Sequence, residues 1–458
     1  MGDFQTVHRL LPALAFLAVA PPLFAGAPAS PSNRPNVIVI LADDLGYECL
    51  GVNGGKSYRT PNLDRLARSG VRFEHCYAQP NCTPTRVQLL TGLSNVRNYV
   101  DFGTLEKSQI TFAHVLREAG YATCIAGKWQ LGARETNLPR HFGFDEHCLW
   151  AYLGRGDRYA HPSLTVNGDF RTLAGQYGPD VCQDFVVDFI RRHRDRPFLV
   201  YYPMILVHGG YEATPDSRDY GQPTARARSE RARHFADMVA YLDKLVGALD
   251  RELESLGLRD HTLLLFTGDN GTGRGTTTEL EDGGEQAGEK GSTTRGGMRV
   301  PLIARWPARM APGRVCRDLV DMTDFLPTIS EAPGIAPPAT LTLDGRSFLP
   351  QVRGEPGTPR EWIYSYWVPL RANQTAHVGS RGAVEQAFDH RFKLYSTGEF
   401  FSLERDPEET APLPLAALTG EAATAARKLQ AALDRFKDAR GSGMPAPRTP
   451  GEKKKRQK

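Results

Sequence analysis

Three features of the chain predict an α/β fold. Runs of apolar and β-branched residues alternate with helix-period segments, the pattern of a layered sheet-and-helix domain. The first run, Asn36 to Leu41 (NVIVIL), lacks any polar alternation and reads as a strand buried on both faces, as in a sheet covered by helices. Four of the strands empty into short polar motifs, which in open α/β sheets meet in one crevice outside the carboxyl ends of the strands.

In chain order, Asn36–Leu41 leads straight into Ala42-Asp43-Asp44-Leu45-Gly46, which sets two carboxylates at a strand exit. Thr60-Pro61 then opens a helix with Leu63 and Leu66 on its apolar side and Gly70 as its stop. A second helix is expected over Thr111–Ala119, closed by Gly120, and the strand Tyr121–Ala126 delivers Gly127-Lys128-Trp129-Gln130. Pro197–Pro203 (PFLVYYP) is a strand leading to His208. The segment from about Ser229 to Leu256 is a long amphipathic helix with Phe235, Val239, Leu242, Leu245, Val246, Leu249 and Leu253 on one side. Thr262–Thr267 empties into Gly268-Asp269-Asn270-Gly271. Residues 271–299 carry nine glycines and read as a substrate-facing loop before the strand Val300–Arg305. Pro-rich stretches near 332–338 and 354–359 precede a last region, in which Phe388–Leu403 reads as short hairpin strands and Ala422–Phe436 as a helix.

With 458 residues, 40% hydrophobic and 9% aromatic, the chain can build one large core or two and is neither a disordered nor a collagen-like polymer. Its net charge of +4 lies wholly in Gly451–Lys458, which hold five bases and one acid. The body is neutral, so the charge points to no nucleic-acid partner, and 441–458 reads as a basic, solvated tail. At the other end Arg9 precedes an apolar run from Leu10 to Ala20, followed by small residues at Ala25, Ala27 and Ala29. This is the layout of a cleavable secretory signal over residues 1–29, too short for a stable membrane span, and it predicts a secreted or periplasmic protein. Seven cysteines without a C-x-x-C pair argue against a disulfide scaffold and against a thiolate zinc site. Pairing among the six besides Cys82 is left open.

Cys82 is the cysteine with a chemical role. Asn81-Cys82-Thr83-Pro84-Thr85-Arg86 precedes Val87-Gln88-Leu89-Leu90-Thr91-Gly92. Thr83 is the expected N-cap, Pro84 suits the first helical position and Gly92 the stop, so Cys82 falls just outside a helix N-terminus. Unpaired N–H groups and the dipole favour an anion there, and Arg86, four residues on, adds a guanidinium fork.

Together these residues resemble the type I sulfatases of the alkaline-phosphatase-like superfamily. The family's maturation signature is Cys, any residue, Pro, Ser or Ala, then Arg; CTPTR matches at Cys82, Pro84 and Arg86. ADDLG, GKWQLG, GDNG and EKGSTTRGGMRVP stand in the family's order, and FKLYSTGEFFSLERDPEET resembles its C-terminal subdomain. The likeness spans roughly residues 35–436. It implies a large mixed, mostly parallel sheet between helices, with a catalytic domain over 33–350, and a small α+β subdomain with a short antiparallel sheet over 360–440.

The resemblance further implies that Cys82 is oxidised to Cα-formylglycine by a formylglycine-generating enzyme and that its hydrate is the nucleophile. Asp43, Asp44, Asp269 and Asn270, with position 82, map onto the ligands of a calcium ion, a hard cation that prefers such oxygens. Arg86, Lys128 and Lys290 map onto the cations of the sulfate pocket, and His208, with Lys290, onto the groups that protonate the leaving alcohol. The implied activity is hydrolysis of sulfate monoesters, on a sulfated carbohydrate; the rivals are phosphodiester or phosphonate monoester hydrolysis, or a sulfoglycan binder that has lost turnover. Two departures stand out. Gln130 occupies the place of the family's usual His, two residues after Lys128, and a neutral amide is no base; it is read as a substrate contact. Thr85 is one methyl larger than Ser. Asn81 and Asn270 lie in glycosylation triplets inside the pocket motifs, which leaves Asn373 as the plausible sequon. His141, His147, His161 and Tyr211 are further residues that could line a sugar site.

Overall fold

The computed structural model describes residues 34–132, 135–154, 156–222, 228–369, 382–441 and 444–446, together with the first two residues. The predicted leader, Asn373 and residues 447–458 of the tail lie outside these.

Eight strands precede the glycine-rich segment: β1 (Asn36–Ala42), β2 (Val71–Tyr77), β3 (Ala122–Lys128), β4 (Glu146–Trp150), β5 (Ser163–Val166), β6 (Asp169–Thr172), β7 (Phe198–Pro203) and β8 (Thr262–Gly268). A small hairpin of β9 (Thr277–Glu279) and β10 (Glu285–Ala287) follows, then β11 (Arg299–Arg305) and β12 (Arg314–Asp321). The main sheet has ten strands in the order β12-β2-β11-β8-β1-β7-β3-β4-β5-β6. Its centre is parallel: β1 pairs with β7 and β8, and β3 with β7 and β4. Strand β11 runs antiparallel between β2 and β8.

Both faces of β1 are buried, as its sequence requires. Val37, Val39 and Leu41 enter one hydrophobic core, and Ile38, Ile40 and Ala42 the other. Each of these Val, Ile and Leu side chains contributes about 1.5–3 kcal/mol by leaving water, which anchors the strand whose exit carries the two aspartates. The helix Arg228–Ser255 buries the expected stripe, Phe235 to Leu253, against the second core.

The C-terminal subdomain is a four-stranded antiparallel sheet, β13 (Ile363–Trp367), β14 (Val384–Phe388), β15 (Phe392–Tyr395) and β16 (Phe400–Ser402), packed against the helix Gly420–Phe436. Part of the segment read as tail belongs to this unit: Met444 is buried in its core, and the Ala446 carbonyl accepts from Ala383 N at 2.9 Å. The glycine-rich stretch after Asp269 is also more ordered than its composition suggests, since it holds the β9–β10 hairpin and a short helix at Arg295–Met298. All seven cysteines are free thiols, and six are buried.

Candidate active site

The sheet register assembles the site. Leu41 pairs with Thr267 and Ala42 with Gly268, so Asp43-Asp44 and Asp269-Asn270 leave neighbouring strands side by side. Asp269 N donates to Ala42 O at 3.0 Å, and Asp44 N donates to Asp269 Oδ1 at 3.0 Å. Asp44 has φ 64, a left-handed conformation that costs a non-glycine residue about 1–3 kcal/mol and is held only where surrounding bonds dictate it. Here Asn270 Nδ2 supplies one such bond, donating to Asp44 Oδ1 at 2.8 Å. Lys128 is the last residue of β3, and β7 leads through residues 204–207 to His208.

The nucleophile helix spans Cys82–Thr91, with Asn81 in extended conformation at its N-cap. This corrects the expected start: Cys82 is the first helical residue, and Pro84 lies in the first turn. Proline is tolerated there because first-turn N–H groups have no intrahelical acceptor. Thr85, the residue with the extra methyl, is fully buried; its hydroxyl accepts from Gln79 N at 2.9 Å and lies 3.1 Å from Asn81 O, tying the turn before Cys82 together. Cys82 Sγ donates to Gln130 Oε1 at 3.0 Å. Gln130 also has a left-handed backbone, φ 50. Burial pushes the Cys82 thiol up, and Lys128 and Lys290 only partly oppose this, so the unmodified residue is a neutral thiol.

Each aspartate has a cation. Arg86 Nη2 lies 2.7 Å from Asp269 Oδ2, Lys128 Nζ 2.7 Å from Asp43 Oδ2, and Lys290 Nζ 2.6 Å from Asp44 Oδ1. Asp43, Asp269, Arg86 and Lys128 are all at most 1% exposed. Unpaired charges at such depth would cost several kcal/mol each, so the pairing is a condition of folding. Burial pushes the Asp44 carboxyl up, but Lys290 and His208 outweigh it and hold the group well below the usual carboxylate range. Asp269 goes the other way: burial and Asp43 push it up to about 6 despite Arg86, whose own ionisation is raised beyond its already high range. The 2.7 Å contact is that of a charged pair.

His208 Nδ1 lies 3.1 Å from Gly209 O. A carbonyl only accepts, so Nδ1 carries the proton and Nε2 of the neutral ring is an acceptor. Burial and Lys128 push the imidazole down to about 3, against the opposing pull of Asp44.

The residues fit a hard cation. Asp43, Asp44 and His208 present ligand atoms within 4.8 Å of one another, and Asn270 Oδ1 is buried with no hydrogen-bond partner. Carboxylate and amide oxygens are what calcium prefers, and an orphaned buried acceptor is a group that such an ion would satisfy.

All ten predicted site residues are thus brought together at the carboxyl ends of the central strands. Of the four residues suggested for a sugar site, three histidines fix loops instead: His147 Nε2 accepts from Gly168 N at 3.0 Å, His161 Nδ1 accepts from Gly175 N at 2.8 Å, and His141 Nε2 bonds the Lys107 carbonyl at 2.8 Å. Tyr211 lies nearer, its hydroxyl 2.5 Å from where a Cβ on Gly273 would sit. Sequence reasoning missed the clamp supplied by the C-terminal sheet. Trp367 Nε1 donates to Asn81 Oδ1 at 2.9 Å, Ser365 Oγ donates to Gln79 Oε1 at 2.9 Å, and the Tyr395 and Thr293 hydroxyls lie 2.9 Å apart. The first two contacts hold the turn before Cys82, and the third holds the segment that follows Lys290. The only signal available was two aromatic residues with polar tips in short strands.

The same assignment comes from comparison with known proteins. The family model described as Sulfatase matches residues 35–335, and that described as N-sulphoglucosamine sulphohydrolase, C-terminal, matches residues 290–437. Bovine (Bos taurus) arylsulfatase A is 35% identical over 391 residues, 76% of this chain and 73% of the relative. N-acetylgalactosamine-6-sulfatase of dog (Canis lupus familiaris) is 32% identical over 384 residues, 74% of this chain and 69% of the relative. A solved structure in complex with its substrate D-glucosamine-2-N,6-O-disulfate shares the fold with a TM-score of 0.70 at 21% identity, covering 89% of this chain and 98% of that one. A helix-covered mixed sheet with a small antiparallel subdomain, a family match over most of the chain and relatives that are sulfuric ester hydrolases lead to one conclusion: the chain belongs to the sulfatase family of the alkaline-phosphatase-like superfamily.

Proposed function

We propose that the protein is a calcium- and formylglycine-dependent hydrolase of sulfate monoesters on a carbohydrate. One observation carries this reading: Cys82, at the first position of its helix, shares the buried carboxyl ends of the central strands with three aspartates, an amide oxygen without a partner and three cations. The dog relative is named for a sulfated amino sugar and the glucosamine-disulfate complex holds another, which supports a saccharide as the alcohol. The leader read in the sequence supports export, and no helix among the described residues is long and apolar enough to cross a membrane.

Asp43, Asp44, Asp269 and Asn270, with the oxygen at position 82, would hold the calcium. When bound, the ion supplies positive charge to stabilise an oxyanion at position 82, while formylglycine, installed by its maturation enzyme, supplies the hydrated aldehyde as nucleophile. Arg86 holds the Asp269 carboxylate and brings a second fixed positive charge to the nucleophile. Lys128 and Lys290 face the sulfate oxygens, and their charge offsets the anion's. The neutral ring of His208 presents Nε2 as an acceptor, so of the two groups that the resemblance maps onto the leaving alcohol, Lys290 and not His208 is the charged donor. Gln130 holds position 82 through its amide and leaves the final deprotonation to another group or to water. Release of inorganic sulfate from 4-nitrophenyl sulfate and from a panel of sulfated sugars, measured with and without chelator, tests the reading.

A further inference from the structure

Among the described residues, a cation beside the site has no ion pair. Arg158 follows β4, and its Nη2 donates to the carbonyl of Gly209, the neighbour of His208. Its Cζ lies 4.9 Å from the Trp150 ring centroid and 5.0 Å from that of Tyr159, whose hydroxyl donates to His208 O at 2.8 Å. Gly210, at φ 92, leaves the space: a Cβ there would sit 2.9 Å from Nη2.

These contacts fix the guanidinium without neutralising it. Aromatic faces and a carbonyl hold a cation in place, but only an anion cancels its charge. Among the described residues no carboxylate lies within ion-pair distance of Arg158, and its Nε is buried without a partner. Glu212 feels the charge of Arg158, but burial outweighs it and raises the carboxyl. A half-buried, oriented and uncancelled guanidinium next to the histidine of the leaving-group side is suited to bind an oxyanion through its fork.

We infer that Arg158 receives a second anionic group of the substrate, a carboxylate or sulfate on the alcohol side of the scissile ester, so that multiply anionic saccharides are preferred. The inference rests on the sulfate-ester reading above. It makes Arg158 a specificity residue: it adds affinity for one class of alcohol.

The test uses the mature full chain and three aryl sulfates that differ only ortho to the ester: 2-carboxyphenyl sulfate, 2-sulfophenyl sulfate and the methyl ester of the first. The quantity read is the ratio of kcat/KM for each anionic ester to that for the neutral ester, compared between wild type and variants so that intrinsic reactivity cancels. Arg158→Gln is expected to lower the ratio about tenfold, mostly through KM, and Arg158→Lys to keep part of it, as for a charge-assisted contact to an oxyanion. Loss with the carboxylate alone or the sulfonate alone identifies which group is received. Equal slowing of all three esters by Arg158→Gln, or an unchanged ratio, overturns the inference while sulfate release continues. If the wild type releases sulfate from none of the three but cleaves phenylphosphonate esters, the sulfate-ester reading itself fails.

Discussion

Gln130 Oε1 accepts a hydrogen bond from Cys82 Sγ at 3.0 Å, across 48 positions of chain and from a residue with left-handed backbone. The amide therefore occupies the place from which an imidazole would act on position 82. It can orient that residue but cannot take a proton near neutral pH. Gln130→His is expected to raise kcat on 4-nitrophenyl sulfate about tenfold or more and to add an ionisation to the pH–rate profile, the range that general base catalysis supplies. Steady-state kinetics from pH 5 to 9 check this; an equal or lower kcat at every pH would show that the site has adapted to the amide.

Among the charged side chains of the described residues, Arg86 is the sole partner within 3 Å of the Asp269 carboxylate, and both groups are buried. Arg86→Ala should lower kcat at least a hundredfold, as removal of a preorganised charge does, and destabilise the fold by about 3–5 kcal/mol through the stranded carboxylate. Arg86→Lys should recover much of the stability but little of the rate. Deleting residues 451–458, where all the net charge lies, should leave turnover intact. Parallel denaturant curves and kinetics separate these effects.

Chelation should cost both rate and stability. An ion that binds only the native state at about a hundredfold its Kd adds about 2.7 kcal/mol. Calcium added to chelated protein should therefore raise Tm and restore sulfate release, and Asn270→Ala, which removes the orphaned acceptor, should blunt both responses. A melting temperature indifferent to calcium would count against the ligand set.

The subdomain clamp predicts an effect at a distance. Trp367→Phe keeps the aromatic body and loses the bond to Asn81 Oδ1. A several-fold fall in kcat with less than about 1 kcal/mol of lost stability is expected, because the lost bond positions the turn before Cys82 more than it holds the core.

His147 sets a pH dependence of stability outside the active site. Burial pushes its imidazole down to about 4, and Nε2 accepts from Gly168 N, so the folded state holds it neutral. The unfolded chain binds the proton more readily between the ordinary histidine value and pH 4. The contribution is therefore complete above about pH 6.5 and is lost as pH falls toward 4. Between pH 7 and 5 wild type should lose about 1–2 kcal/mol that His147→Gln does not lose. Urea titrations at the two pH values would contradict this if the variant lost as much.

Much of the fold was legible because local signals agreed with it. NVIVIL reads as a doubly buried strand and is one, and Thr111 and Gly120 bound the helix Phe112–Glu118, one on either side. The site was legible because its residues sit at strand exits, where position in the chain fixes position in space. What stayed hidden depends on tertiary packing. Asn81 rather than Thr83 stands at the N-cap of the nucleophile helix, a choice between nearby polar residues that propensity does not decide. Trp367 and Arg158 act through contacts to Asn81 and Gly209, 286 and 51 positions away, and no spacing rule links them. The pairing of each lysine with an aspartate was equally unreadable, since composition gives the charges but not their distances.

Sulfate-ester hydrolysis at position 82 is read out by ion-chromatographic measurement of sulfate released from a panel of sulfated saccharides, by protein from its natural host and by Cys82→Ala made in parallel. Calcium-dependent release by the wild type and none by the variant is expected. Equal release by both, or no release by a wild type that cleaves phosphonate esters, would contradict it.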